Sequence, residues 1–126
     1  MNQLFKSVID QDRSSVVICD LNHTIVYMNK AAIEHYYKRG GKDLNGQNLL
    51  DCHNEHSNEM IKKIVAWFAE SERNNMIYTY RNEKENKDVY MVALRDENNK
   101  LIGYYEKQEY RNPENAKLYD FSKSII

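Results

Sequence analysis

The run Val17–Ala32, VICDLNHTIVYMNKAA, decides how this chain is read. Ser15–Asp20 is rich in β-branched residues and predicts a strand, Leu21-Asn22-His23 makes a polar turn, and Thr24–Met28 predicts a second strand, so the two form a hairpin. Asn29 then stands where a helix N-cap belongs, its side-chain oxygen able to accept an orphan backbone N–H. The helix predicted over Lys30–Tyr37 sets Ala31, Ala32, Ile33, Tyr36 and Tyr37 around its core side, and Arg39-Gly40-Gly41 ends it.

Upstream, Leu4, Phe5, Val8 and Ile9 form one apolar stripe of a short helix within residues 1–11. A helix of that length is marginal alone and needs a docking surface, on its own domain or on a second subunit. Downstream, Asn48–Asp51 predicts a single helical turn and Ser57–Glu72 a long helix with Met60, Ile61, Ile64, Val65, Trp67 and Phe68 on its apolar side. Met76–Arg81, Val89–Leu94 and Lys100–Tyr110 predict three more strands. Asn82–Lys87 reads as a charged turn projecting into solvent, Asp96–Asn99 as a hairpin loop, and Gly103 as a bulge position. Asn112-Pro113-Glu114 reads as a cap with proline at the first helical position, so the tail, residues 111–126 with Leu118 and Phe121, is expected to hold a short docked helix. The sum is an α+β fold: a five-stranded antiparallel sheet with helices packed on one face, over residues 12–110.

Composition narrows the function classes. The 126 residues are 41% hydrophobic and 29% charged, ordinary for one globular domain. A net charge of −1 carries no basic excess for nucleic acid or anionic membrane, and no apolar run approaches a membrane span. The first residues lack a signal-peptide core, so the cytoplasm is the expected location. Cys19 and Cys52 form no CxxC, and Cys19 is most simply a small buried hydrophobe. There is no Gly-x-Ser-x-Gly elbow and no Gly-rich phosphate loop, so no enzyme is expected.

Val17–Asp20 with Ile25–Ala32 resembles the opening hairpin and helix of a PAS domain, loosely apolar strand–Asp–turn–Ile–x–Tyr–x–Asn–x–Ala. Gly46 and the Asp96–Asn99 hairpin followed by Leu101-Ile102-Gly103 are similar to later landmarks of that family. The resemblance implies a sensory module that holds a small molecule, haem, flavin or nothing between the sheet and the long helix. It also implies a homodimer built through Leu4, Phe5, Val8 and Ile9, and output through a separate signalling protein. Cys52-His53 followed by Ser57 is similar to a bacterial PAS subgroup with a Cys-His-Pro-x-x-Ser run, Asn54 replacing the proline here. Flavin photochemistry is not expected, because Leu49 stands where light-oxygen-voltage domains carry cysteine.

The candidates to line such a cavity are His53, His56, Ser57, Met60, Ile64, Tyr37, Tyr78, Met91 and Tyr104. With about 100° per residue from Met60, the apolar face centres near roughly 55° and Ser57 falls at about 60°. Extending the helix backward puts His53 at about 20° and His56 at about −40°. The two histidines then read as contacts to a small ligand, as axial haem ligands in a gas or redox sensor, or as local caps. A solid-cored dimerisation domain without ligand is the remaining alternative. Cys52, His53 and His56 do not make a zinc site, since adjacent ligands sit awkwardly on one helix.

Overall fold

In the computed structural model, which describes residues 2–122, the opening run forms strands Val17–Asp20 (β1) and Ile25–Met28 (β2), paired antiparallel. Asp20 makes the turn between them: its carboxylate accepts from the Asn22 and Thr24 N–H groups at 2.9 and 3.0 Å. Asn29 starts the helix Lys30–His35 (α2) as predicted, accepting the Ala32 N–H at 2.9 Å. It does more than cap. The same oxygen accepts the Val16 N–H at 2.9 Å, and the amide nitrogen donates to the Ile9 and Ser14 carbonyls, each at 2.9 Å. Asn29 is fully buried, so one side chain joins β1, α2 and the end of the first helix, Gln3–Asp10 (α1). The Tyr27 hydroxyl, donating to the Asp10 carboxylate, adds a second tie.

α2 is shorter than the predicted Lys30–Tyr37. It ends at His35, and 3-10 turns over Tyr37–Arg39 and Gly41–Leu44 follow. Gly40 and Gly41 both take positive φ, 128° and 53°, so the chain reverses there before a longer helix forms. The long helix spans Glu55–Glu70 (α3), starting two residues before Ser57. Asn54 explains the shift: its side chain accepts the Ser57 N–H at 2.8 Å as N-cap, with acidic Glu55 favourable in the first turn. Ile61, Ile64 and Phe68 form the buried stripe of α3. At its other end no glycine closes the helix. The Arg95 guanidinium instead donates to the Phe68, Ser71 and Asn74 carbonyls at 2.7, 3.0 and 3.2 Å, satisfying exposed acceptors from outside.

Met76–Asn82 (β3), Lys87–Arg95 (β4) and Leu101–Tyr110 (β5) complete a five-stranded antiparallel sheet of order β2-β1-β5-β4-β3. The last strand therefore lies in the middle. An irregularity falls between Leu94 and Arg95, opposite Ile102 and beside Gly103, where the sequence places a bulge. The core gathers Cys19, Ile25, Met28, Ala32, Ile61, Ile64, Phe68, Met91, Leu101 and Tyr104 between sheet and helices.

Two expectations change. Lys87 is not part of a solvent-exposed turn; it opens β4 and is buried, because it alternates inward with Val89 and Met91. The tail carries no helix over residues 111–120, and Leu118 and Phe121 are exposed. The cap signal around Pro113 is local, and those two apolar side chains reach no face to dock on. Residues 123–126 of the predicted tail helix lie outside the described residues. Among the described residues no helix is long and apolar enough to cross a membrane.

Candidate functional site

Alternation along the strands decides what faces α3. Val17 and Cys19 from β1, Lys87 and Met91 from β4, and Tyr104, Glu106 and Gln108 from β5 point to one side, register with one another, and line a cavity. Met60, Ile61 and Ile64 of α3 form the opposite wall, and Tyr36, Leu44 and Leu49 part of the rim. The cavity volume is about 1110 Å³, ample for a small organic molecule.

Part of the lining is apolar, made by Ile25, Met28, Ile61, Ile64 and Met91. Cys19 lies there too. Burial pushes its thiol up to about 11, so at neutral pH it is protonated and a poor nucleophile. Its cross-strand neighbour Tyr104 is held above the ordinary phenol range by burial and by Cys19, and its hydroxyl shares a 2.8 Å hydrogen bond with His23 Nδ1.

The rest of the lining includes a linked set of polar groups. Lys87 Nζ donates to Gln108 Oε1 at 2.8 Å and pairs with Glu85 at 2.9 Å. Burial works most strongly against its charge, but the bond to Glu85 together with the charges of Glu85, Tyr110 and Tyr80 outweighs it, and its pKa sits above the ordinary lysine value. Gln108 Nε2 in turn donates to Glu106 Oε1 at 3.1 Å. Tyr36 and Tyr80 stand close by; burial first, then the Glu106 charge, raises both phenols.

Of the residues predicted from sequence, His53, His56, Ser57, Met60, Ile64, Tyr37, Met91 and Tyr104 all border this cavity. They do so at different depths. Ile64, Met91 and Tyr104 are buried walls, whereas His53, His56 and Tyr37 are exposed at the mouth. His53 does not continue the helix: its backbone is extended at φ −126° and ψ 159°, so the angular extrapolation through Asn54 fails. Its Nδ1 donates to the Leu49 carbonyl at 3.0 Å, so that nitrogen is held by the protein's own backbone.

Tyr78 lies elsewhere. It pairs with Tyr90 on the outer face of the sheet, half exposed, because the register shifts between Tyr78 and Tyr80. There its hydroxyl donates to Asp88 at 2.6 Å, and Arg111 and Arg81 reach the same carboxylate at 2.7 and 3.3 Å. Tyr78 and the two arginines hold the Asp88 carboxyl down to about 2. A depressed carboxyl contributes stability above its unfolded value of about 3.9, lost as pH falls through the folded value. Carbon-detected NMR is expected to place the Asp88 midpoint near 2 and to move it upward in Arg111→Ala; an unmoved midpoint refutes the assignment.

Lys87, Glu106, Gln108 and Tyr36 are among the cavity residues that the sequence prediction omits from the site. Their signal is present. Counting inward from Met91 by twos reaches Lys87, and counting on from Tyr104 reaches Glu106 and Gln108.

A family model described as PAS domain matches residues 13–106. No curated protein sequence matches the chain significantly. Among solved structures, a C-terminal domain from Streptococcus mutans superposes with a TM-score of 0.65 at 20% identity, covering 84% of this chain and 81% of that one. The PAS domain of a Colwellia psychrerythraea protein gives 0.62 at 17% identity, with 86% and 95% covered. A sensory box sensor histidine kinase from Vibrio cholerae gives 0.54 at 14% identity, with 85% and 88% covered. These similarities show a shared fold, and the family match spans the hairpin, α2, α3, β3, β4 and β5 as far as Glu106. The chain belongs to the PAS domain family.

Proposed function

We propose that this sensory domain binds a small molecule between α3 and the sheet and reports its occupancy, from the cytoplasm and without catalysis, through contacts with another protein. The observation that carries this reading is the cavity of about 1110 Å³, lined by both apolar and polar side chains. A solid-cored dimerisation domain has no use for that space. The helix α1 supports a second copy as the first partner. Its Leu4, Phe5 and Val8 are 71, 65 and 68% exposed along one stripe, an apolar surface that a second α1 would cover.

Native mass spectrometry tests both points. The purified protein is expected to carry the mass of a retained small molecule, which Ile64→Trp loses by filling the cavity while circular dichroism stays that of the parent. No added mass, together with no rise in Tm across a metabolite library, removes the cavity reading. The same spectrum counts subunits: the parent is expected as a dimer and Phe5→Glu as a monomer. A dimer indifferent to Phe5→Glu sinks the α1 interface.

A further inference from the structure

We infer that the cavity recognises a small organic cation, an ammonium or amidinium group on an apolar body, through the carboxylate of Glu106. The inference rests on the reading that the cavity binds a small molecule and adds the chemical class of that molecule.

Glu106 sits on the central strand and faces inward. Its cross-strand partners are Val17 and Met91, apolar residues that line the same cavity. The Glu106 carboxylate is half-buried in the cavity wall and gains no counter-charge from the protein, so a ligand's cation can supply one. Among the described residues no cation lies within ion-pair distance of Glu106. Its one hydrogen-bond donor is neutral, Gln108 Nε2 on Oε1, and Oε2 has no partner among those residues.

The nearby cation is already committed. Lys87 Nζ is bonded to Glu85 and to Gln108, and it lies over the Tyr110 ring at 5.4 Å. Lys87 and Glu85 pair with each other, so among the described residues the half-buried carboxylate that lines the cavity without an ion-pair partner is Glu106. The same contact fixes Gln108: its Oε1 must accept from Lys87, so its Nε2 must turn toward Glu106. A sequence of four groups, Glu85, Lys87, Gln108 and Glu106, thus holds one carboxylate ready.

Tyr36 and Tyr80, whose phenols feel the Glu106 charge, border the same space and offer ring faces that favour a cation. Ile25, Met28, Ile64 and Met91 supply contact for an apolar body. Glu34, Lys38 and Arg39 also border the cavity, but they are exposed, where water and salt screen them. An anion would meet the Glu106 carboxylate, with two of the three Lys87 N–H donors already given to Glu85 and Gln108.

Isothermal titration calorimetry of the full chain tests this with three probes of one length: hexylammonium chloride, hexanol and sodium hexanoate. Hexylammonium is expected to bind with one-to-one stoichiometry and roughly tenfold tighter than hexanol, the scale of one charge-assisted hydrogen bond, with hexanoate weakest. That ranking needs no variant. Glu106→Gln, nearly the same shape, is expected to abolish the preference so that hexylammonium and hexanol bind alike. Hexanoate binding tightest, or hexylammonium binding unchanged in Glu106→Gln, overturns the inference. If all three bind equally and Ile64→Trp abolishes all three, the cation claim falls while the cavity reading stands. If none binds, both fall.

Discussion

Asn29→Ala is expected to lower the stability of the domain by about 4 kcal/mol, more than most single surface or boundary changes achieve. Two buried backbone donors, the Val16 and Ala32 N–H groups, lose their acceptor at once. The Ile9 and Ser14 carbonyls lose a donor. Each stranded buried group costs on the order of 1–3 kcal/mol, partly relieved if water enters the space left behind. Thermal unfolding is expected to shift downward by roughly 15 °C. Asn29→Asp separates the two halves of the role. It keeps the acceptor for Val16 and Ala32 but faces the Ile9 and Ser14 carbonyls without a donor, so α2 is expected to remain capped while α1 loosens and becomes sensitive to protease. A loss below about 1 kcal/mol in Asn29→Ala would show that α1 and α2 do not depend on this junction.

Gly103→Ala is the second change expected to have a large effect, and it acts by addition. A Cβ at this position would stand 2.4 Å from the Cys19 carbonyl oxygen and 3.5 Å from the Asp20 Cα, both backbone atoms of the neighbouring strand. Neither can rotate away as a flexible side chain can. Gly103 is buried and pairs with Asp20 on one side and Leu94 on the other, so β1 must move off β5 or β5 must distort against β4. The expected cost is about 3 kcal/mol, with faster amide exchange along β1 than along the β3–β4 pair. Equal stability of parent and variant would show that the strands relax far more easily than backbone contacts of this kind allow.

How far these features are legible from the residues depends on the range of the interaction. The hairpin, the Asn29 cap, the apolar stripe of α3 and the order of the last three strands follow from neighbours a few positions apart, and the sequence predicts them. The second task of Asn29 is not local: its bonds to Ile9, Ser14 and Val16 exist only once α1 and β1 are folded against it. Asn54 and Ser57 are both plausible caps, and only the Asn54 bond to the Ser57 N–H decides the start of α3.

The site shows the same division. Ile64, Met91 and Tyr104 are predicted as cavity walls because their periodicity is regular. Tyr78 departs from prediction because a register shift beside it turns the strand over, which alternation alone does not reveal. Lys87 has the composition of a solvent turn, and what makes it an interior residue is a partner on another strand, Gln108, together with Glu85. His53 fails for a simpler reason: the helix used to orient it begins after it.

The sheet order carries a consequence for how the chain is made. β5 lies between β1 and β4, yet it is the last strand to leave the ribosome. Until Leu101–Tyr110 emerges, β1–β2 and β3–β4 exist as two separate ribbons, each with a bare edge and an apolar side. Closing them requires contacts between distant parts of the chain, Cys19 with Tyr104 among them, the type of closure that folds slowly. A nascent chain stalled before Leu101 has two pairing edges and no strand of its own to fill the gap, which makes it a target for chaperones or for another copy in the same state.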